Sequence, residues 1–296
     1  MSILIDERTR VVIVGIAGRF GLFSLKDLAE YGTKVVAGIA AGRPEREVEG
    51  VPVFATAKDA LRETDANAAL IYVPAPLALD AVLEVIEAGC PLAAYPGDGL
   101  PIIDAMEMRA AARSNGVNLV GPNSPGIISP GKAKLGFMPN SCFAAGSLGV
   151  ISRSGSLSYE VTYRLSKAGL GQSTVIGIGG DPIKGINAAE ATEFYHRDPE
   201  TRAIVYLGEI GGSEEYALAD YARRPGAKPV AALLVGRTAP TGKKMGHAAA
   251  MIGGYADTWN AKVQALEAAG VHVARSLEGL PAAAAAALNV APQIAS

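Results

Sequence analysis

Cysteine, histidine and aromatic residues are scarce in this sequence of 296 residues. It holds two cysteines, Cys90 and Cys142, and three histidines. Two cysteines exclude a disulfide framework and are too few for a cysteine zinc site, so no metal site is predicted. Aromatic residues make up only 6%, whereas hydrophobic residues make up 49%. Alanine, glycine, valine and isoleucine must therefore fill most of the core, which is typical of a compact α/β protein.

The sequence also lacks an excess of charge of either sign and a long apolar run. Its formal net charge is −2, without a block of one sign, which argues against nucleic acid or an anionic membrane as a partner. No apolar run reaches the length of a membrane span. Residues 1–8 lack the basic segment and apolar core of a signal peptide. We therefore expect a cytoplasmic protein with no nucleic-acid or membrane partner.

Short β-branched segments alternate with helical segments along most of the chain. The first is a strand over residues 10–14, which is followed by a glycine-rich turn and a helix over 23–31. This alternation predicts βαβ units in doubly wound parallel sheets. A stretch rich in proline, glycine and asparagine interrupts it at residues 121–146, after which it resumes. We expect this stretch to be the crossing between two α/β domains, because the chain is long enough for two cores.

A loop with the spacing Gly15-x-x-Gly18-x-x-Gly21 follows the first strand. Glycines let a backbone approach a phosphate closely, and the next helix offers free amides and a positive dipole. The spacing differs from Gly-x-Gly-x-x-Gly, which favours a phosphate-bearing ligand other than NAD. Arg19 and Arg43 could both reach its phosphates. The alternative is a tight turn that serves packing alone.

Two further loops carry polar groups at strand ends. Asp98 lies in a Pro-Gly-Asp-Gly turn. It could accept a hydrogen bond from a ligand, because ligands of open α/β sheets bind at the carboxyl ends of the strands. The alternative is an ordinary turn aspartate. Ser154 and Ser156 begin a predicted helix, whose hydroxyl groups and first free amides would form an anion site.

One histidine, His247, lies among small residues, between Gly246 and three alanines. A phosphate can approach a neutral imidazole in such a loop, and Lys243 and Lys244 would offset its charge. His247 is therefore a candidate covalent nucleophile. Glu209 lies in a glycine-rich loop after a strand and could hydrogen-bond one imidazole nitrogen, which would orient the other. The alternatives are a loop histidine without a role and a carboxylate that interacts with a helix dipole.

Short segments along nearly the whole chain resemble the α subunits of succinyl-CoA synthetases and related nucleoside-diphosphate-forming acyl-CoA ligases. These segments lie at residues 1–6, 72–76, 121–123, 125–126, 149–155, 177–183, 208–213, 238–240 and 245–248. The resemblance implies a Rossmann-like CoA-binding domain over residues 1–128. It also implies a flavodoxin-like ligase domain over residues 129–296, both domains having parallel sheets.

The resemblance also implies roles for individual residues. His247 would be a phosphohistidine and Glu209 its contact. The residues that would receive the phosphate are Ser154, Gly155 and Ser156. Those that would contact the carboxylate substrate are Tyr159, Asn123 and Ser124. CoA would lie along Ala17, Gly18, Arg19, Phe20, Arg43, Pro96, Gly97 and Asp98.

The implied activity is that of an ADP- or GDP-forming carboxylate–CoA ligase. It would act through the phosphohistidine and an acyl phosphate, with CoA and a small carboxylate as substrates. ATP or GTP and Mg²⁺ would bind an ATP-grasp β subunit, in an αβ or α2β2 assembly. This agrees with the sequence, which carries no P-loop motif.

The predicted CoA loops depart from the family pattern. Arg19 stands where a small or acidic residue is usual, Phe20 where glutamine or lysine is usual, and Asp98 where glutamate is usual. Ser124 also replaces a frequent cysteine. We therefore leave open whether the acid is succinate, malate, citrate or another short di- or tricarboxylate. Two other functions stay open, namely a non-catalytic subunit that binds CoA or acyl-CoA, and an enzyme that uses a dinucleotide or nucleotide sugar.

Overall fold

The structure, a computed structural model, describes residues 2–40, 42 and 46–289. This part of the chain forms two seven-stranded sheets flanked by helices. The predicted α/β class with two mostly parallel sheets is therefore confirmed. Among the described residues, no helix has both the length and the apolarity to cross a membrane. The cytoplasmic location stays a prediction.

The first sheet has the strand order of a Rossmann fold. Its strands are β1 (Arg10–Val14), β2 (Lys34–Ile39), β3 (Glu47–Val48), β4 (Val51–Phe54), β5 (Ala68–Ile71), β6 (Leu92–Ala94) and β7 (Asn118–Val120). The order across the sheet is β3-β4-β2-β1-β5-β6-β7, and only β3 pairs antiparallel with its neighbour. The six parallel strands thus follow the order 3-2-1-4-5-6, in which β1 and β5 flank the point where the winding reverses.

Four helices accompany the first sheet. They are α1 (Arg19–Tyr31), α2 (Ala57–Glu63), α3 (Ala75–Glu87) and α4 (Ile102–Ser114). The helix predicted over 23–31 begins earlier, at Arg19, which corrects the sequence interpretation. Gly21 was taken for a loop glycine, but it lies in the first turn of α1. A Cβ there would come within 2.3 Å of the carbonyl oxygen of Gly15, so close packing of α1 on the loop requires glycine.

The second sheet is flavodoxin-like. Its strands are β8 (Gly126–Ser129), β9 (Ala133–Gly136), β10 (Ala145–Ser152), β11 (Gln172–Gly177), β12 (Ala203–Glu209), β13 (Val230–Val235) and β14 (His272–Ala274). The helices are α5 (Gly155–Lys167), α6 (Ala188–Arg197), α7 (Glu214–Ala222), α8 (Trp259–Glu267) and α9 (Leu280–Leu288). The order is β14-β13-β12-β10-β11-β8-β9, so the five parallel strands follow the flavodoxin order 2-1-3-4-5.

Residues 121–146, which were predicted to be only a connection between two domains, contain a β-hairpin. β8 pairs antiparallel with both β9 and β11, which adds two strands to the second sheet. The proline and glycine at 130 and 131, taken as signs of a crossing, belong to the turn of this hairpin. The division between residues 1–128 and 129–296 stays a prediction, and in the structure it cuts through β8.

The two sheets share a hydrophobic core. Ile13 of β1, Leu135 of β9 and Ile176 of β11 are fully buried and belong to one cluster. Lys134, also fully buried, pairs with Asp27 of α1 at 2.7 Å. These contacts pack the two sheets against one another.

Candidate active site

A cluster of buried charges lies where the winding of the second sheet reverses. β10 and β12 are adjacent, yet the chain continues from β10 to β11 on the other side. Arg153 follows β10 directly, and Glu209 is the last residue of β12. Ligands of doubly wound sheets bind at such a reversal, at the carboxyl ends of the strands. Arg153 and Glu209 form an ion pair there, with 3.0 Å between Nη2 and Oε1.

His247 reaches this edge from a distant loop and contacts Glu209. The distance between Nδ1 of His247 and Oε2 of Glu209 is 2.8 Å. The Glu209 side chain is 6% exposed, whereas that of His247 is 29% exposed. The pKa of His247 is raised above its ordinary value, chiefly because of the hydrogen bond to Glu209, while burial opposes this shift. Since Nδ1 is occupied, Nε2 is the nitrogen available to a second partner.

The loop that carries His247 is closed on itself and packs against the Glu209 loop. The amide of Met245 donates to the carbonyl of Ala250 at 2.9 Å. Gly246 between them has φ of +81°, a conformation that favours glycine. At Gly211, a Cβ would come within 2.1 Å of the carbonyl oxygen of Ala249. Glycine at that position therefore allows the two loops to touch.

The N-terminus of α5 lies at the same edge. Ser154 is its N-cap, and its hydroxyl accepts a hydrogen bond from the amide of Leu157 at 3.4 Å. Ser156 is exposed and Gly155 is half-buried. The first amides of a helix have no partner within the helix, so residues 154–156 can bind an anion. Arg153, one residue before the cap, connects this terminus to Glu209.

A cavity of about 570 Å³ opens at the reversal point of the first sheet. Its lining includes residues that were predicted to contact CoA, namely Gly18, Arg19, Phe20, Pro96, Gly97 and Asp98. Ala17 is next to this lining, and Arg43 lies outside the described residues. The start of α1 and the turn after β6 thus meet around one cavity large enough for part of a nucleotide cofactor.

Two family models match the chain: CoA binding domain at residues 6–95 and CoA-ligase at residues 151–272. An ADP-forming succinate–CoA ligase subunit alpha from Aquifex aeolicus is 50% identical over 275 residues, covering 92% of this chain and 90% of its own. Subunit alpha 2 of that ligase from Archaeoglobus fulgidus is 48% identical, covering 93% and 96%. The chain belongs to the succinate–CoA ligase α-subunit family. It is thus an acid–thiol ligase subunit that binds CoA.

Solved structures share the fold of this ligase-family chain. An ATP citrate lyase from Methanothrix soehngenii, in complex with citrate and coenzyme A, has a TM-score of 0.88 at 22% identity. It matches 97% of this chain, which spans only 50% of the lyase chain. An acetyl-coenzyme A synthetase 1 from Ca. Korarchaeum cryptofilum has a TM-score of 0.76 at 22% identity, with 95% and 61% covered.

A second cavity, of about 330 Å³, lies between the Rossmann-like and the flavodoxin-like parts of the chain. Its lining includes Asp98 and Asn123 together with Asp181, Lys244 and Gly246. The side-chain amide of Asn123 donates to Asp181 at 2.9 Å. Because Asp98 lines both cavities, the second cavity adjoins the first and extends to the His247 loop.

Two of the predicted substrate residues, Ser124 and Tyr159, donate their hydroxyl groups to backbone carbonyls of the chain. Ser124 is 4% exposed, and its hydroxyl donates to the carbonyl of Gly177 at 2.5 Å, which ties the start of β8 to β11. The Tyr159 hydroxyl donates to the carbonyl of Phe137, and burial raises its pKa to about 12. Of the three, Asn123 alone lines the second cavity.

Sequence reasoning missed several residues that shape the sites. Tyr72 and Phe137 line the first cavity, and their ring centroids are 5.1 Å apart. Phe137 belongs to the second half of the chain, so no local pattern could associate it with CoA. Arg153 directly precedes Ser154 at the start of the predicted helix, but no role was predicted for it. Lys262 lies fully buried on α8, and nothing near it in the sequence marks it.

Proposed function

We propose that this chain is the catalytic α subunit of a succinate–CoA ligase, and that His247 carries the phosphoryl group. The observation behind this proposal is the 2.8 Å hydrogen bond between His247 Nδ1 and Glu209 Oε2. A buried carboxylate on one imidazole nitrogen orients the other for nucleophilic attack. A binding subunit without catalysis would not require this arrangement.

The proposed reaction has three displacements. First, Nε2 of neutral His247 attacks the γ-phosphorus of ATP or GTP, the bond to the bridging oxygen breaks, and the nucleoside diphosphate leaves. Glu209 offsets the positive charge that the imidazole acquires. Second, a carboxylate oxygen of the acid attacks the phosphorus, and the N–P bond breaks. Third, the CoA thiol attacks the acyl carbon, and phosphate leaves with the thiol proton.

The N-terminus of α5 supports the second displacement. We assign the phosphoryl group to the first amides of α5 at Ser154, Gly155 and Ser156, because a helix N-terminus stabilises an anion. CoA would occupy the first cavity, and its thiol end would pass Asp98 into the second. Of the predicted substrate residues, Asn123 is the best supported, since it lines this second cavity.

We infer that nucleotide and Mg²⁺ bind an ATP-grasp β subunit, because the relatives are named alpha subunits. In the described ranges, no group of three or more His, Cys, Asp or Glu residues could hold a metal ion. Either an αβ or an α2β2 assembly agrees with this arrangement. Succinate is the favoured acid because both relatives are named for it, and malate and citrate are the alternatives.

Phosphorylation of the assembled enzyme tests this proposal. The complex with its β subunit is incubated with Mg²⁺ and ATP or GTP labelled at the γ-phosphate. We expect an acid-labile label on this chain that is absent from His247→Asn. Succinate, malate and citrate are then compared for thioester formation with CoA. An unlabelled parent chain that still binds CoA would instead support the non-catalytic subunit.

A further inference from the structure

Arg153 lies beneath the Glu209–His247 pair and is almost completely buried. Its side chain is 2% exposed. One nitrogen, Nη2, is 3.0 Å from Oε1 of Glu209. The other, Nη1, donates to the carbonyl oxygen of Gly211 at 3.1 Å and lies 3.3 Å from Oε1 of Glu215. The guanidinium thus contacts both the carboxylate and the backbone of the loop that carries it.

Lys262 contacts the same loop from a different helix, α8. Its ammonium donates to the carbonyl oxygens of Gly211 at 2.5 Å and of Glu209 at 3.1 Å. It also donates to Oε2 of Glu215 at 2.5 Å, and both side chains are fully buried. Glu215 therefore lies between two cations, with one carboxylate oxygen directed at each. Residues 209–211 are held by Arg153 and Lys262 together.

Such a network is a poor means of gaining stability. Removing charges from water is costly, and an apolar cluster of similar volume is often as stable or more stable. The contacts instead converge on one short loop. Nη2 of Arg153 lies 3.0 Å from Oε1 of Glu209 in an ion pair without hydrogen-bond geometry, whereas Oε2 hydrogen-bonds to the imidazole. The cation attracts one carboxylate oxygen and the imidazole binds the other, which favours a single orientation of the carboxylate and of its bond to Nδ1.

We propose that Arg153 and Lys262 are positioning residues that fix the Glu209 carboxylate, and thereby His247, for phosphoryl transfer. This inference rests on the proposed role of His247 as the phosphoryl carrier. Arg153 fixes the carboxylate directly, whereas Lys262 fixes the loop backbone and Glu215. Neither residue touches the reacting atoms. A misplacement of about 1 Å at a reacting group can reduce a rate by roughly a hundredfold.

The chain offers a matched control for Lys262. Lys134 is also a fully buried lysine with an acidic partner, Asp27 at 2.7 Å, and its ammonium donates to the Asn140 side chain at 2.6 Å. Its contacts lie away from residues 209–211. Lys262→Met and Lys134→Met therefore both remove a buried cation, but only the first removes a contact to the Glu209 loop.

The experiment measures single-turnover phosphorylation of His247 in the complex with the β subunit. We expect Lys262→Met to slow it by about tenfold or more, and Lys134→Met to leave it close to the parent rate. Thermal unfolding of each variant separates loss of folding from loss of positioning. Equal rates for Lys262→Met and the parent would overturn the role of Lys262. Equal slowing by both variants would do the same.

Arg153 is tested with Arg153→Met and with the conservative Arg153→Lys. Arg153 lowers the pKa of His247, while Glu209 and Asp181 raise it. The hydrogen bond to Glu209 is the larger influence, so release of the carboxylate in Arg153→Met should lower the pKa of His247 in an NMR titration and slow phosphorylation, and Arg153→Lys should partly restore both. An unchanged rate in Arg153→Met would overturn the inference. A parent chain that is never phosphorylated would instead overturn the proposed function.

Discussion

The imidazole ring of His247 lies directly against Gly180. A Cβ at position 180 would be 2.6 Å from Cγ and 2.7 Å from Cδ2 of the histidine. Real Cβ atoms essentially never come this close, so the ring can occupy its place only because residue 180 has no side chain. Glu209 and Gly180 thus both contact the imidazole and define its position.

Gly180→Ala should displace the imidazole and impair phosphorylation. The added methyl group would move His247 away from Glu209, and we expect phosphorylation to slow by roughly a hundredfold. Gly254→Ala is the control, because φ at Gly254 is −158° and a Cβ there meets nothing within 4 Å. Single-turnover labelling of both variants checks this. Equal rates in the two variants would contradict the packing argument.

Glu209→Gln should change the pH dependence of phosphorylation. Glu209 raises the pKa of His247, and protonated imidazole cannot attack phosphorus. Without that carboxylate the pKa falls, so the acid limb of the rate profile should move to lower pH. The maximal rate should fall by about a hundredfold, because an amide does not offset the imidazolium charge.

The exposed carboxylate of Glu160 provides the control for this profile. It pairs with Arg164 on α5, with 2.5 Å between Nε and Oε1, and does not contact His247. Glu160→Gln should leave the acid limb where it is in the parent. If the limb of Glu209→Gln moved to higher pH, the proposed electrostatic role of Glu209 would be wrong.

Ser154→Ala should reduce both stability and transfer to the acid. Loss of the cap of α5 should lower the free energy of unfolding by about 1 kcal/mol. Thr258 caps α8 in the same way, accepting from the amide of Ala261 at 3.3 Å. Thr258→Ala should therefore cost similar stability. Only Ser154→Ala should slow the transfer of phosphate from His247 to succinate, as measured by rapid quench.

Phe20→Ala should weaken CoA binding more than Phe23→Ala. Both rings lie on α1, are more than half exposed, and contact Phe137, but only Phe20 lines the first cavity. Loss of an aromatic contact with the ligand should raise KM for CoA by about tenfold. Steady-state kinetics with CoA as the varied substrate checks this. A larger increase for Phe23→Ala would place CoA outside this cavity.

Local patterns predicted the fold class because they depend on residues close in sequence. Buried parallel strands such as Ala68–Ile71 are continuous apolar runs that end at turn residues. The hairpin of β8 and β9 was not predicted. Its strands are only four residues long, and its turn contains the proline and glycine that are typical of a connection between domains. The start of α1 was misplaced because the glycine spacing is typical of a loop, whereas Gly21 packs in the first turn of the helix against Gly15 and Ile16.

The sequence by itself determined the two α/β halves, the family, and the two residues with the most distinctive chemistry, His247 and Glu209. A histidine and a glutamate in glycine-rich loops are candidate catalytic residues even without coordinates, because few other residue types can supply a nucleophilic nitrogen or the carboxylate that orients it. The tertiary structure alone decided how these residues are held. Arg153 and Lys262 are 109 positions apart in the sequence, and they meet only because β10 and α8 fold around the same loop. Burial and ion pairing between distant residues leave no local pattern, since they depend on packing across the whole fold.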